Sequence, residues 1–226
     1  MLRKVFDKYL LLTFASFFIF NSFWNSDISG KSQTHPIGKE SKIEKLILFQ
    51  KNLKKLRSIG ANVALDGVSK EYAKKLLNEI SERYAQEFNI SFNAVDFYNH
   101  KLPETWCTDL EMEKIRDSSR KRSDIYLLFS NKDWNNKSDS GDFSVVGEAH
   151  EDLGYAWIET HNKEEDIKNL AHELTHLFGV NHDDSKTSFM HRQNSGKIYF
   201  TENMRKEILE NKFKTWEFSR YEPKKS

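Results

Sequence analysis

His172-Glu173-Leu174-Thr175-His176-Leu177-Phe178-Gly179-Val180-Asn181-His182 is an unbroken HExxHxxGxxH string. In a helix, residues four apart lie about 40° apart around the axis and about 6 Å along it, so His172 and His176 project from one face and are able to share a metal ion. Glu173 stands one position round from His172. A helix running on past Gly179 would carry His182 to the far side of the axis, so the third histidine joins the first two only if the chain turns sharply. Glycine allows that turn, because it enters the left-handed region that ends helices at little cost. HExxH alone arises by accident in roughly a few per cent of shuffled chains of this composition, and the spaced glycine and third histidine lower that to the order of 10⁻⁵.

Three neutral imidazoles leave a four-coordinate zinc with one position for water, the pattern of a catalytic rather than a structural site. Zinc lowers the pKa of such a water toward about 7. Glu173 is placed to take the water's proton and to return one to a leaving amine. The residues thus point to one catalytic Zn2+ on His172, His176 and His182, with Glu173 as the catalytic general base.

Eight residues beyond His182 comes Met190, in Thr187-Ser188-Phe189-Met190. Over residues 172–190 the chain resembles the metzincin clan of zinc endopeptidases. The resemblance implies an α+β, metzincin-like zincin fold. Its parts are a twisted mixed sheet with an antiparallel edge strand, a long helix, an active-site helix, and a small C-terminal subdomain with a methionine turn and a terminal helix. It also implies that Met190 lies in a turn beneath the metal and that Asp183 binds backbone near that turn, so that with the turn at Gly179 these residues support the site. Asp183 directly after the third histidine is similar to the adamalysin (reprolysin) pattern, whereas the spacing to Met190 is similar to matrixins, and both readings stay open. Arg192 stands where astacins and serralysins carry a tyrosine ligand. The single cysteine departs from the disulfide-bearing secreted adamalysins.

The 226 residues give room for one enzymatic domain with short extensions. A net charge of +1 gives no reason to expect nucleic acid as a partner, and 13% aromatic residues suffice for a packed core. Cys107 has no partner for an internal disulfide and reads as a buried thiol. Arg3, Lys4 and Lys8 precede an apolar run over 9–20, so residues 1–24 read as a signal peptide or, extended by Phe23 and Trp24, as an uncleaved membrane anchor. The expected location is therefore exported: secreted, periplasmic or tethered. Residues 25–42 read as a linker, 43–58 as a helix with Leu46, Phe49, Leu53 and Leu56 at helical spacing, and 59–226 as the catalytic domain.

Within that domain the pattern predicts a strand over 61–65, a helix over 69–88 capped by Ser69, and strands over 90–98 and 125–129. Two strands joined by a turn fit residues 143–160. By the resemblance, the first of them, carrying Val146, Gly147, Glu148 and Ala149, is the sheet edge to which an extended peptide adds itself antiparallel. His150 reads as an exposed turn histidine. Asn162 with Glu165 looks like a cap that starts the active-site helix at Lys163, with Ile167, Leu170, Ala171, Leu174, Leu177 and Phe178 on its apolar side. Beyond Met190 a loop through Ser195 and Gly196 leads to a last helix over 202–212, capped by Thr201. The expected function is a zinc-dependent metalloendopeptidase hydrolysing peptide bonds of extended protein segments with a zinc-bound water that Glu173 activates. The alternatives are a catalytically silent, zinc-stabilised binding module and a zinc hydrolase of a non-peptide amide or ester. Glu173 speaks against the binding module, which has no use for a general base.

Overall fold

A computed structural model of the chain describes residues 51–52, 54–104, 108–132, 146–185, 187–191 and 197–220, all within the unit running from Lys42 to Ser226. The expected leader and linker of residues 1–42, Cys107, Arg192, and Ser195 with Gly196 lie outside them, as do Leu46 and Phe49 of the expected N-terminal helix. Among the described residues no helix is long and apolar enough to cross a membrane.

The described elements run β1 (Arg57–Asp66), α1 (Lys70–Phe88), β2 (Ile90–Asn99), α2 (Thr108–Ser118), β3 (Ile125–Ser130), β4 (Gly147–His150), β5 (Tyr155–Glu159), α3 (Lys163–His176) and α4 (Glu202–Glu210), with a final 3₁₀ turn at Phe218–Arg220. One five-stranded sheet has the order β2-β1-β3-β5-β4. Its first four members are parallel, and β4 pairs antiparallel with β5 through the tight turn that follows it. Whereas the edge strand β2 is mostly half-buried, the inner parallel strands β3 and β5 are buried on both faces. That is why β3 reads Ile-Tyr-Leu-Leu-Phe without alternation and why all six of its residues are buried.

Strand alternation divides the core. Ile59, Ala61 and Val63 of β1, Leu127 and Phe129 of β3, and Ala156 and Ile158 of β5 meet α1 and α3 on one face. Ala64, Tyr126, Leu128, Tyr155 and Trp157 meet Met112 and Ile115 of α2 on the other. Tyr84 at the centre of the first layer packs edge-on against Phe92 and Phe200. Its hydroxyl pairs with Thr175 Oγ1 at 2.6 Å, which ties α1 to the back of α3.

Most expected elements form, with shifts that have local causes. Arg57 and Ser58, read as the end of a helix, belong to β1, because Arg57 already pairs with Ile90 across the sheet. The last helix stops at Glu210 rather than Lys212. Asn211 turns its side-chain amide to the Phe178 carbonyl at 2.8 Å. The fully buried Lys212 ammonium donates to the carbonyls of Asn52 and Phe88, the latter at the end of α1. Helix α2 was not legible in the sequence: it exposes its Leu110 and buries its Glu111, which is held by His100 Nε2 at 3.1 Å and by Lys114. An apolar residue out and a carboxylate in erase the helical stripe.

Candidate metal centre and cleft

Helix α3 starts as its sequence dictates, with the Asn162 side chain accepting from the Glu165 amide. Its apolar side sinks into the first core layer, leaving His172 buried, His176 half-buried and His182 exposed. The helix ends at His176, and Gly179 at φ 82° reverses the chain within the next three residues. Side chains from the C-terminal region satisfy the carbonyls left open there. Trp216 Nε1 donates to Leu177 O at 3.1 Å, and Asn211 holds Phe178 O.

The turn delivers His182 to the other two imidazoles. The Nε2 atoms of His172 and His176 lie 3.0 Å apart, and those of His172 and His182 3.2 Å apart. Two main-chain carbonyls set the tautomers: His172 Nδ1 donates to Phe189 O at 2.7 Å and His176 Nδ1 to Val180 O at 2.6 Å. Burial above all, and the neighbouring imidazoles after it, push His172 down to about 3 and His176 down to about 4, so both rings are neutral at pH 7. With each Nδ1 carrying the proton, the Nε2 atoms of His172 and His176 present lone pairs to one another at a distance that is repulsive without a cation between them. Ligand nitrogens of a tetrahedral zinc, each about 2.0–2.1 Å from the ion, lie about 3.3–3.4 Å apart. The donor set, tautomers and spacing therefore fit zinc, with the exposed side at His182 facing solvent.

Met190 is fully buried in a turn directly after Phe189, whose carbonyl holds His172. The Ser188 hydroxyl accepts from its amide at 3.1 Å, and its carbonyl accepts from the Asp183 amide at 2.9 Å. The Asp183 carboxylate accepts from the Ser185 amide at 2.9 Å, while the link to Met190 is made by the Asp183 main chain. The carbonyls of Phe189 and Val180, and the caps from Trp216 and Asn211, are site-forming groups that no residue-type pattern marks in advance.

Glu173 is buried beside the imidazoles and under β4. Its carboxyl is held well above the usual carboxylate range by burial first and by the charge of Glu148 second. Along β4, Gly147 and Ala149 face α3, whereas Glu148 and His150 face the α2 layer. His150, read as an exposed turn residue, is half-buried within the strand, opposite Tyr155, with its rings 5.6 Å from that tyrosine. The turn begins one residue later, at Glu151. Val146 O and His150 O bond inward, to Glu159 N and Gly154 N. Antiparallel alternation then sends the main-chain N–H and C=O of Gly147 and Ala149 outward, along a sheet edge that no described strand covers.

No family model matches the chain, and no curated protein matches it in sequence. Among solved structures, the archaemetzincin of Methanopyrus kandleri superposes with a TM-score of 0.54 at 17% identity, over 69% of this chain and 95% of that one. Myroilysin is matched at 13% identity over 86% of this chain and 71% of the other, with a TM-score of 0.33 that is too low to speak to the fold. The five-stranded mixed sheet, the helices around it and the superposition on archaemetzincin give this chain a metzincin-like zincin fold.

Proposed function

We propose that the protein is a zinc-dependent endopeptidase acting on extended protein segments. The observation that carries this reading is the convergence of three imidazole nitrogens beside a buried glutamate, under a sheet edge that no described strand covers. When bound by His172, His176 and His182, zinc supplies a Lewis-acid position that acidifies water and polarises a carbonyl oxygen. Phe189 O and Val180 O keep the rings turned toward that position. Glu173 takes the proton of the attacking water and passes it to the departing amide nitrogen, so the base of the first half of the reaction is the acid of the second. The outward N–H and C=O groups of Gly147 and Ala149 bind the peptide main chain as an added strand, which selects extended segments over helices.

Export is part of the same proposal and rests on residues 1–24. The test is digestion of an unstructured protein by the purified chain, with and without a chelator, followed by zinc re-addition. Internal cleavage that the chelator stops and zinc restores is expected. Zinc uptake without cleavage of any protein substrate would overturn the reading.

A further inference from the structure

The edge strand carries one acidic side chain whose placement bears on which peptides the cleft accepts. Glu148 is exposed at the middle of β4, and its Oε2 accepts a hydrogen bond from Thr108 Oγ1, at the start of α2, at 2.7 Å. The hydroxyl fixes the carboxylate against the α2 side of the edge without neutralising it. Among the described residues no lysine, arginine or histidine pairs with Glu148. The other acidic groups on the following turn, Glu151 and Asp152, are by contrast both served by Lys214. Glu148 is thus a carboxylate fixed on the edge with no cation paired to it among the described residues, and it directly follows Gly147, which packs over Glu173.

Ladder geometry says what would meet it. The outward groups of Gly147 and Ala149 are the hydrogen-bonding positions for an added antiparallel strand, so Glu148 sits at the non-hydrogen-bonded position between them. There the two strands approach most closely, and the facing residue of the peptide projects its side chain to the same side, with Cβ atoms about 4.5–5.5 Å apart. Resting on the peptidase reading above, we infer that Glu148 is a specificity-determining residue that selects peptides carrying lysine or arginine at the position opposite it, next to the cleaved bond. An opposite-charge pair across strands favours binding and a like-charge pair opposes it.

The experiment uses the full chain loaded with zinc and a set of peptides that differ only in carrying Lys, Gln or Glu at each position flanking the cleaved bond. At one position, the ratio of kcat/KM for Lys over Glu should be about fivefold to tenfold. That ratio should fall to near one in Glu148→Gln, invert in Glu148→Lys, and shrink in Thr108→Val, where the carboxylate is no longer fixed. The ratio is the readout because any effect of Glu148 on Glu173 acts on all peptides alike and cancels. Binding of the same peptides to the Glu173→Gln variant should show the same order, which separates recognition from turnover. Cleavage that is indifferent to charge at every position, or a Lys preference that Glu148→Gln retains, would overturn the inference while leaving the peptidase reading intact. Failure of the zinc-loaded chain to cleave any peptide would overturn both.

Discussion

Gly147 on the edge strand and Glu173 on the helix beneath share one volume: a Cβ built on Gly147 would lie 2.7 Å from Glu173 Oε1 and 2.9 Å from its Cγ. The carboxylate therefore occupies the room that the missing side chain leaves. Gly147→Ala should force it aside while leaving the three imidazoles untouched. A displacement of about 1 Å costs a catalytic group on the order of 10² in rate. Zinc content should stay stoichiometric while kcat falls by that factor; unchanged kcat would show that Glu173 has other room to move.

Glu173→Gln keeps the shape and removes the base. Cleavage should fall about 10²–10⁴-fold or more with zinc retained, measured as metal content alongside turnover of one peptide. Near-normal activity in a zinc-loaded variant would take Glu173 out of the mechanism.

His182→Ala removes a nitrogen that lies 3.2 Å from His172 Nε2. Zinc affinity and turnover should fall together, which distinguishes this variant from the two preceding ones. Titration against a competing chelator reads the affinity, and stoichiometric, active metal would point to a different third ligand.

Gly179 touches neither substrate nor metal, yet its φ of 82° is what turns the chain toward His182. Valine is strained there by about 1–3 kcal/mol, and asparagine tolerates the left-handed region better. Its Cβ would also approach Glu151 Oε2 and Asn211 Nδ2 to 3.1 and 3.3 Å, both at the ends of side chains able to give way. Gly179→Val should therefore lose zinc affinity and cleavage, and Gly179→Asn should lose much less. Equal tolerance of both would place the turn elsewhere.

Gly154, at φ 83° in the turn between β4 and β5, has Trp216 Cβ 2.3 Å from where its own Cβ would be. Gly154→Ala adds left-handed strain and an overlap with a fully buried indole, about 2 kcal/mol or more together. Thermal unfolding should show a Tm several degrees lower, about 2–4 °C per kcal/mol for a chain of this size. The indole also caps Leu177 O, so the same change should loosen the end of the metal-binding helix.

How much of this was legible in the sequence varies by element. Helix α3 was, because it carries its own cap at Asn162, an apolar stripe and two histidines four apart, all set by local geometry. Helix α1 was legible from its Ser69 cap and its apolar stripe as far as Phe88, and the left-handed Asn89 that closes it is a finding of the structure. Helix α2 was not, since its inward-facing Glu111 is stabilised by His100, a partner from the end of β2 that periodicity does not show.

The chain by itself put three histidines, a glutamate and a turn-forming glycine into one stretch, because spacing along a helix fixes which side chains share a face and glycine allows the positive φ that ends it. Only the tertiary structure decided that Phe189 O and Val180 O orient the histidines, that the Asp183 carboxylate serves Ser185, and that Gly147 makes room for Glu173. It also placed Glu148 beside Thr108, about forty residues away in sequence, on an edge where no cation among the described residues meets it. These are main-chain and cross-strand relationships. They depend on which loops return to the same place, and that is settled by packing of the whole core rather than by the residues that take part.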